Sequence, residues 1–145
     1  MNRKLIIYFD NCIYSRIFDG KKSPTITAEA ARIRGIVRKG LSGKYIIIGG
    51  GIVTTEMGRN PDVKKRRAAE RLYKRIVSGE VILSARGMAR AKELQSKGLK
   101  TMDARHLASA EATKADYLLT VDKDFINKCS QPNFTTVKVI NPINF

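Results

Sequence analysis

The chain has 145 residues, enough for one compact domain spanning 1–145 and too few for two of ordinary size. Its 43% hydrophobic and 28% charged residues match globular usage and exclude a disordered or collagen-like chain. Against 13 Asp and Glu stand 28 Lys and Arg, a formal charge of +15. That imbalance points to a polyanionic partner such as nucleic acid, bound with salt-sensitive affinity.

No apolar run approaches the roughly 20 residues that a membrane span needs. Only five apolar residues, Leu5 to Phe9, separate the basic N-terminal stretch from Asp10, too few for a secretory leader. Cys12 and Cys129 make neither a CxxC pair nor a disulfide framework. A cytoplasmic protein is the expectation.

Taken in chain order, Leu5-Ile-Ile-Tyr-Phe9 reads as a buried parallel strand, an apolar run bounded by charge. Thr25 or Thr27 is placed to cap a helix carrying Ala28, Ala31, Ile33 and Val37 and stopping near Gly40. Tyr45 to Ile48 is a second strand, Gly49-Gly50-Gly51 the turn after it, and Val53 to Met57 a short helix. Asn60-Pro61-Asp62 opens a longer helix that runs to about Val77. Val81-Ile-Leu83 reads as a third strand, Met88 to Lys97 as a helix, and Thr101 to Lys114 as another. Tyr117 to Val121 is a fourth strand and Val137 to Ile140 a last short one. Alternating strands and helices predict an α/β chain, a three-layer α/β/α sandwich around a mainly parallel sheet.

In an open parallel sheet, ligands bind beyond the carboxyl ends of the strands. Asp10 follows the first strand, Asp122 follows the fourth, and Glu56 lies in the first helical turns after the second. The helix opened by Asp103 leads into the fourth strand. About 12 helical residues span roughly 18 Å, close to the roughly 17 Å of five strand residues. Asp103 therefore belongs at the same edge as Asp10 and Asp122. Glu80 and Asp116 precede strands and belong at the far edge, while Glu70, Glu93 and Glu111 sit mid-helix.

Four carboxylates crowded together resist ionising unless a cation compensates them. Oxygen donors with no His/Cys cluster suit Mg²⁺ or Mn²⁺ and argue against zinc. Such an ion activates water and stabilises phosphoryl charge. An acidic pit on a basic body fits metal-dependent phosphodiester cleavage. Taken singly, Asp10 and Asp103 also suit turn and N-cap positions.

At these residues the sequence resembles the PIN-domain ribonucleases, including their VapC-type toxins. The matching stretches are Ile7-Tyr-Phe-Asp-Asn11, Val53-Thr-Thr-Glu56, Asp103-Ala-Arg-His-Leu-Ala-Ser-Ala110, Leu118-Leu-Thr-Val-Asp-Lys-Asp-Phe125 and Val137-Lys-Val-Ile-Asn-Pro142. The resemblance implies an α/β/α sandwich that cleaves single-stranded RNA with Mg²⁺ or Mn²⁺. For toxin members it also implies a cognate antitoxin and a homodimer. It makes Asp10, Glu56, Asp103 and Asp122 metal ligands, Asn11 and Thr120 supports that orient them, and Asp124 an acid acting through water. Asn11-Cys12 after the first acid, and the three glycines before the Glu56 helix, depart from the commonest toxin pattern.

Among the other features, Gly49-Gly50-Gly51 lacks the Lys-Ser/Thr of a nucleotide-binding loop and reads as a turn. His106 lies three residues after Asp103, near the same helix face, and is read as a packed or surface residue rather than a site contact. Cys12 reads as a small buried hydrophobe. Lys64, Arg67 and Arg71 are expected to meet the RNA backbone, and Arg16 a phosphate near the metal. Ile13, Ile17 and Phe18 are expected to be available to a protein partner. Two alternatives stay open: a non-catalytic RNA-binding module, and an RNA-processing nuclease with no toxin role. A receiver domain also clusters acids at strand ends, but Asn141-Pro142 stands where its lysine would follow the last strand.

Overall fold

A computed structural model describes residues 3–145; Met1 and Asn2, which begin the basic N-terminal stretch, lie outside the described residues. Leu5–Phe9 forms β1, in which Ile7, Tyr8 and Phe9 are all wholly buried. Burial of successive residues means that both faces of the strand are covered, as in a central parallel strand. Tyr45–Gly50 (β2) and Tyr117–Leu119 (β4) flank β1, with Val77–Val81 (β3) and Lys138–Ile140 (β5) at the edges. The order is β3-β2-β1-β4-β5 and every pairing is parallel.

Helices Asn11–Arg16 (α1), Pro24–Leu41 (α2), Gly51–Gly58 (α3) and Val63–Ile76 (α4) pack on one another; Ala85–Ser96 (α5) packs along Thr101–Ala112 (α6). Lys123–Cys129 (α7) follows β4. The ring of Phe9 meets Tyr14 of α1 at 5.4 Å between centroids, while that of Tyr8 meets His106 of α6 at 5.7 Å. Neighbouring β1 residues thus face different helical layers, completing the α/β/α sandwich. No helix among the described residues is long and apolar enough to cross a membrane.

Several boundaries differ from the sequence reading, each for a local reason. Ser23, not Thr25 or Thr27, caps α2: its Oγ accepts from the Ile26 amide at 3.1 Å, and Pro24 takes the first helical position. Asp62 rather than Asn60 caps α4, its Oδ1 accepting from the Lys65 amide at 3.1 Å. α1 and α7 are too short for a periodic signature. The third strand is Val77–Val81, not Val81–Leu83: α4 turns into it without a loop, and Ile82 beyond it is 89% exposed. The Ser, Gly and Glu within this edge strand hide its alternation, and Glu80 consequently lies near its carboxyl end, not at the far edge. Asp116 does sit at the far edge, where it accepts from the Ile6 amide at 2.8 Å and pairs with Arg3.

Gly49 and Gly50 close β2 and only Gly51 begins α3, so the three glycines are not a loop. Close approach requires the first two: a β-carbon on Gly49 would run into the Tyr73 ring, and one on Gly50 into the Val81 carbonyl oxygen. Gly50→Ala is expected to lower stability by about 1–3 kcal/mol, the usual cost of overpacking against a fixed backbone. Urea denaturation checks this, and unchanged stability would show that β3 yields freely.

Candidate functional site

Strand order reverses direction at β1, whose neighbours β2 and β4 are followed in sequence by chains on opposite sides, so the crevice lies beyond the carboxyl ends of β1 and β4. Asp10 occupies that position. Its amide continues the ladder by donating to the Leu119 carbonyl at 3.0 Å, which fixes its backbone, and the residue is buried. Thr120, one residue past β4 and wholly buried, donates from Oγ1 to Asp10 Oδ2 at 2.7 Å. The same hydroxyl oxygen accepts from the Asp122 amide at 3.2 Å. Thr120 therefore ties the two strand ends together.

Glu56 is brought to the rim by α3, which leaves β2 without an intervening loop. Asp103 stands in the first turn of α6, and His106 one turn later. The imidazole is wholly buried and bonded on both sides. Its Nε2 lies 2.8 Å from Glu56 Oε1 and 3.4 Å from Asp10 Oδ1, and its Nδ1 lies 2.8 Å from Tyr8 Oη. Ligand atoms of Asp10, Glu56 and His106 all fall within 4.8 Å of one another. Asp103 and Asp122 stand outside this tight trio but share its field.

That field is visible in the titrating groups. Burial, then the charges of Asp10 and Asp122, push the Asp103 carboxyl up to about 6. For His106, burial is the largest influence and works against the imidazolium, but the hydrogen bond with Glu56 and the charges of Asp10, Glu56 and Asp103 outweigh it, so its pKa is raised. Burial, followed by the charge of Asp10, raises the Tyr8 hydroxyl far above its ordinary range, so it remains protonated.

The remaining expected residues divide. Asp122 caps α7, its Oδ1 accepting from the amides of Asp124 at 3.0 Å and Phe125 at 3.2 Å, and so performs the N-cap role while sensed by Asp103. Asp124 is exposed and pairs with Lys128 at 2.9 Å along the helix. Asn11 opens α1 beside Asp10 and is partly exposed. Arg16 does not reach towards solvent for a phosphate: its guanidinium pairs with Asp19 at 2.9 Å and Glu29 at 3.3 Å, inside a network that also holds Lys65. Lys64, Arg67 and Arg71 are all exposed on α4, three and four residues apart, hence on one face. Helix α4 packs against α3, which carries Glu56, and turns this basic face to solvent. Ile13 is wholly buried in the chain's own core and is unavailable to a partner, whereas Phe18 is exposed. Cys12 is partly buried, with Sγ 3.7 Å from Thr120 Oγ1.

Two site residues escape the sequence reading. His106 sits at the centre of the cluster instead of in a plain packed or surface role, and Tyr8 looks like any core aromatic. The spacing of three from Asp103 was the available signal for His106. Its ring brings an imidazole nitrogen to the rim beside the carboxylate oxygens.

Comparison with known proteins bears on the fold and the lineage together. The PIN domain family model matches residues 7–130. The chain belongs to the PIN domain family. No curated protein matches the sequence significantly. Among solved structures, this PIN domain resembles a chain of VapBC2 from Rickettsia felis, a structure determined bound to a DNA fragment from its promoter. The TM-score is 0.59 at 12% identity, covering 93% of this chain and 98% of the other. At that identity the likeness is one of fold.

Asp103→Asn is expected to stabilise the chain in the presence of a chelator at pH 7.5, raising Tm by roughly 3–8 °C. A carboxyl whose folded pKa is about 6, against an ordinary 3.8, is unfavourably ionised in the fold above pH 6, and the native state regains that stability by taking up a proton between 6 and 4. The advantage of Asn should therefore shrink as pH falls through that window. Thermal melts from pH 8 to 4 measure it, and a gain that persists unchanged at pH 4 would contradict the assigned cause.

Proposed function

We propose that this PIN domain is a metal-dependent endoribonuclease that cleaves single-stranded RNA, with residues 1–145 acting as one nuclease domain. The observation that carries the reading is the cluster of Asp10, Glu56 and His106 at one rim, with Asp103 near enough that burial, then the charges of Asp10 and Asp122, push its carboxyl up to about 6, on a chain of charge +15. Carboxylates held at such proximity fit a divalent cation, which relieves their repulsion. Asp10, Glu56, Asp103 and Asp122 would hold it, as Mg²⁺ or Mn²⁺, and its chemistry there is activation of water and neutralisation of charge developing on a phosphate.

The protein's own residues prepare that chemistry. Thr120 fixes Asp10 by donating to Oδ2, leaving Oδ1 turned towards Glu56 and His106. His106 holds Glu56 through Nε2. Asp122 keeps one oxygen on the α7 amides, which anchors its carboxylate in a fixed direction. Exposed Lys64, Arg67 and Arg71 draw the RNA backbone alongside α3. Arg16 is no part of that surface, because two carboxylates already hold it. Asn11 and Asp124 border the site and would act on substrate or water at its margin.

A toxin role, with an antitoxin partner, a homodimer and a cytoplasmic target, belongs to the same proposal. The fold likeness to a chain of a VapBC complex supports it, as does exposed Phe18 beside α1. A small antitoxin-like reading frame beside the gene would favour the toxin over an RNA-processing enzyme.

Cleavage of single-stranded RNA with Mn²⁺ is expected to fall at least about 100-fold in Asp103→Asn and in Asp10→Asn. Combined Lys64→Glu, Arg67→Glu and Arg71→Glu should instead weaken RNA binding and flatten its salt dependence by about 2 in log–log slope, at roughly 0.7 per phosphate contact. Equal cleavage by wild type and Asp103→Asn contradicts the catalytic assignment. Binding that persists in chelator without any product would favour the non-catalytic module.

A further inference from the structure

His106 is the only nitrogen donor in the tight cluster at the rim, and the structure holds it as a ligand is held. Its ring is wholly buried on α6, Nε2 turned to Glu56 Oε1 at 2.8 Å and Asp10 Oδ1 at 3.4 Å. The opposite nitrogen, Nδ1, lies 2.8 Å from Tyr8 Oη on the central strand, and the two rings pack edge-on, with an interplanar angle of 64°. Metal-binding imidazoles characteristically engage their second nitrogen in a hydrogen bond that fixes tautomer and orientation. Tyr8 occupies that position. Nε2 faces both Glu56 and Asp10, the position from which it would meet a cation shared by those two carboxylates.

We infer that His106 supplies an imidazole nitrogen to the cation site and thereby moves its preference from Mg²⁺ towards Mn²⁺. This rests on the metal-dependent reading above. In the ligating form the neutral ring carries its single proton on Nδ1, donated to Tyr8 Oη, and the Nε2 lone pair faces the two carboxylates. The proton between Nε2 and Glu56 must leave that nitrogen when a cation binds: from the neutral ring it moves to Nδ1, and from the imidazolium one proton is released to solvent. Mg²⁺ favours oxygen donors and sheds water reluctantly. Mn²⁺ shares the oxygen preference of Mg²⁺ but stands at the start of the first-row series, whose members accept nitrogen donors with rising affinity. Replacing one oxygen donor by nitrogen therefore weakens Mg²⁺ binding relative to Mn²⁺.

Pulsed electron paramagnetic resonance of the full chain loaded with Mn²⁺ tests the inference without reference to activity. Wild type should show ¹⁴N coupling of a directly bound imidazole, replaced by ¹⁵N coupling when the histidine is ¹⁵N-labelled; this measurement needs no variant. In His106→Gln the coupling should vanish, and the Mn²⁺-over-Mg²⁺ affinity ratio from calorimetry should fall by about tenfold. Tyr8→Phe should keep the coupling while binding Mn²⁺ less tightly. Bound Mn²⁺ without nitrogen coupling would overturn the inference and leave His106 as the positioning partner of Glu56, the metal reading intact. Failure of wild type to bind Mn²⁺ at all would overturn both.

Discussion

Repulsion among carboxylates at the carboxyl rim of the sheet is the constraint around which the rest of this molecule is arranged. Asp10 is buried at the end of the central strand, and Asp103 takes its shifted pKa from burial and from the charges of Asp10 and Asp122. An acid placed there is unfavourable unless its charge is answered. Within the chain the answers are partial. Thr120 donates to one oxygen of Asp10, α7 amides donate to Asp122, and the His106 ring faces Glu56 and Asp10. None removes the crowding of negative charge, which is the condition under which a divalent cation binds with most gain.

Several of the chain's cations are held by acids outside that rim, although Lys100 stands near enough to Asp103 to work against its raised pKa. Arg16 and Lys65 are drawn to Asp19, Arg16 also to Glu29, and Arg90 to Glu93 and Glu111. Lys64, Arg67 and Arg71 face solvent on α4. Under the proposed nuclease function, the exposed cations would attract a polyanion in a salt-dependent way while the acidic rim would hold a metal for chemistry on one phosphate. The topology makes this separation possible, since the rim residues come from β1, α3, α6 and the β4–α7 junction while α4 lies alongside.

Much of this was legible in the sequence because the signals were backbone-scale. The apolar runs of β1 and β2, and acids set directly after strands, specify a parallel sheet and the edge at which Asp10 and Asp122 emerge. A helix of the length following Lys100 must return across the sheet, which puts Asp103 at the same edge. The misplacement of β3 had a physical source: an edge strand with one face exposed carries Ser, Gly and Glu, and the apolar signal shifted to Val81–Leu83 instead. His106 was harder to read, because burial and partners decide whether an imidazole packs or ligates, and its partner Tyr8 resembles a core residue until its hydroxyl is located. Arg16 stands close to Asp10 in sequence, yet buried Glu29 on α2 claims it, a contact set by tertiary packing alone.

Acids far apart in the chain are proposed to share one cation. Anomalous diffraction from crystals soaked in Mn²⁺ addresses this most directly. A peak is expected within about 2.3 Å of a carboxylate oxygen of Asp10 and of at least one of Glu56 and Asp103. A peak elsewhere on the surface, or no peak at the rim at saturating Mn²⁺, would contradict it.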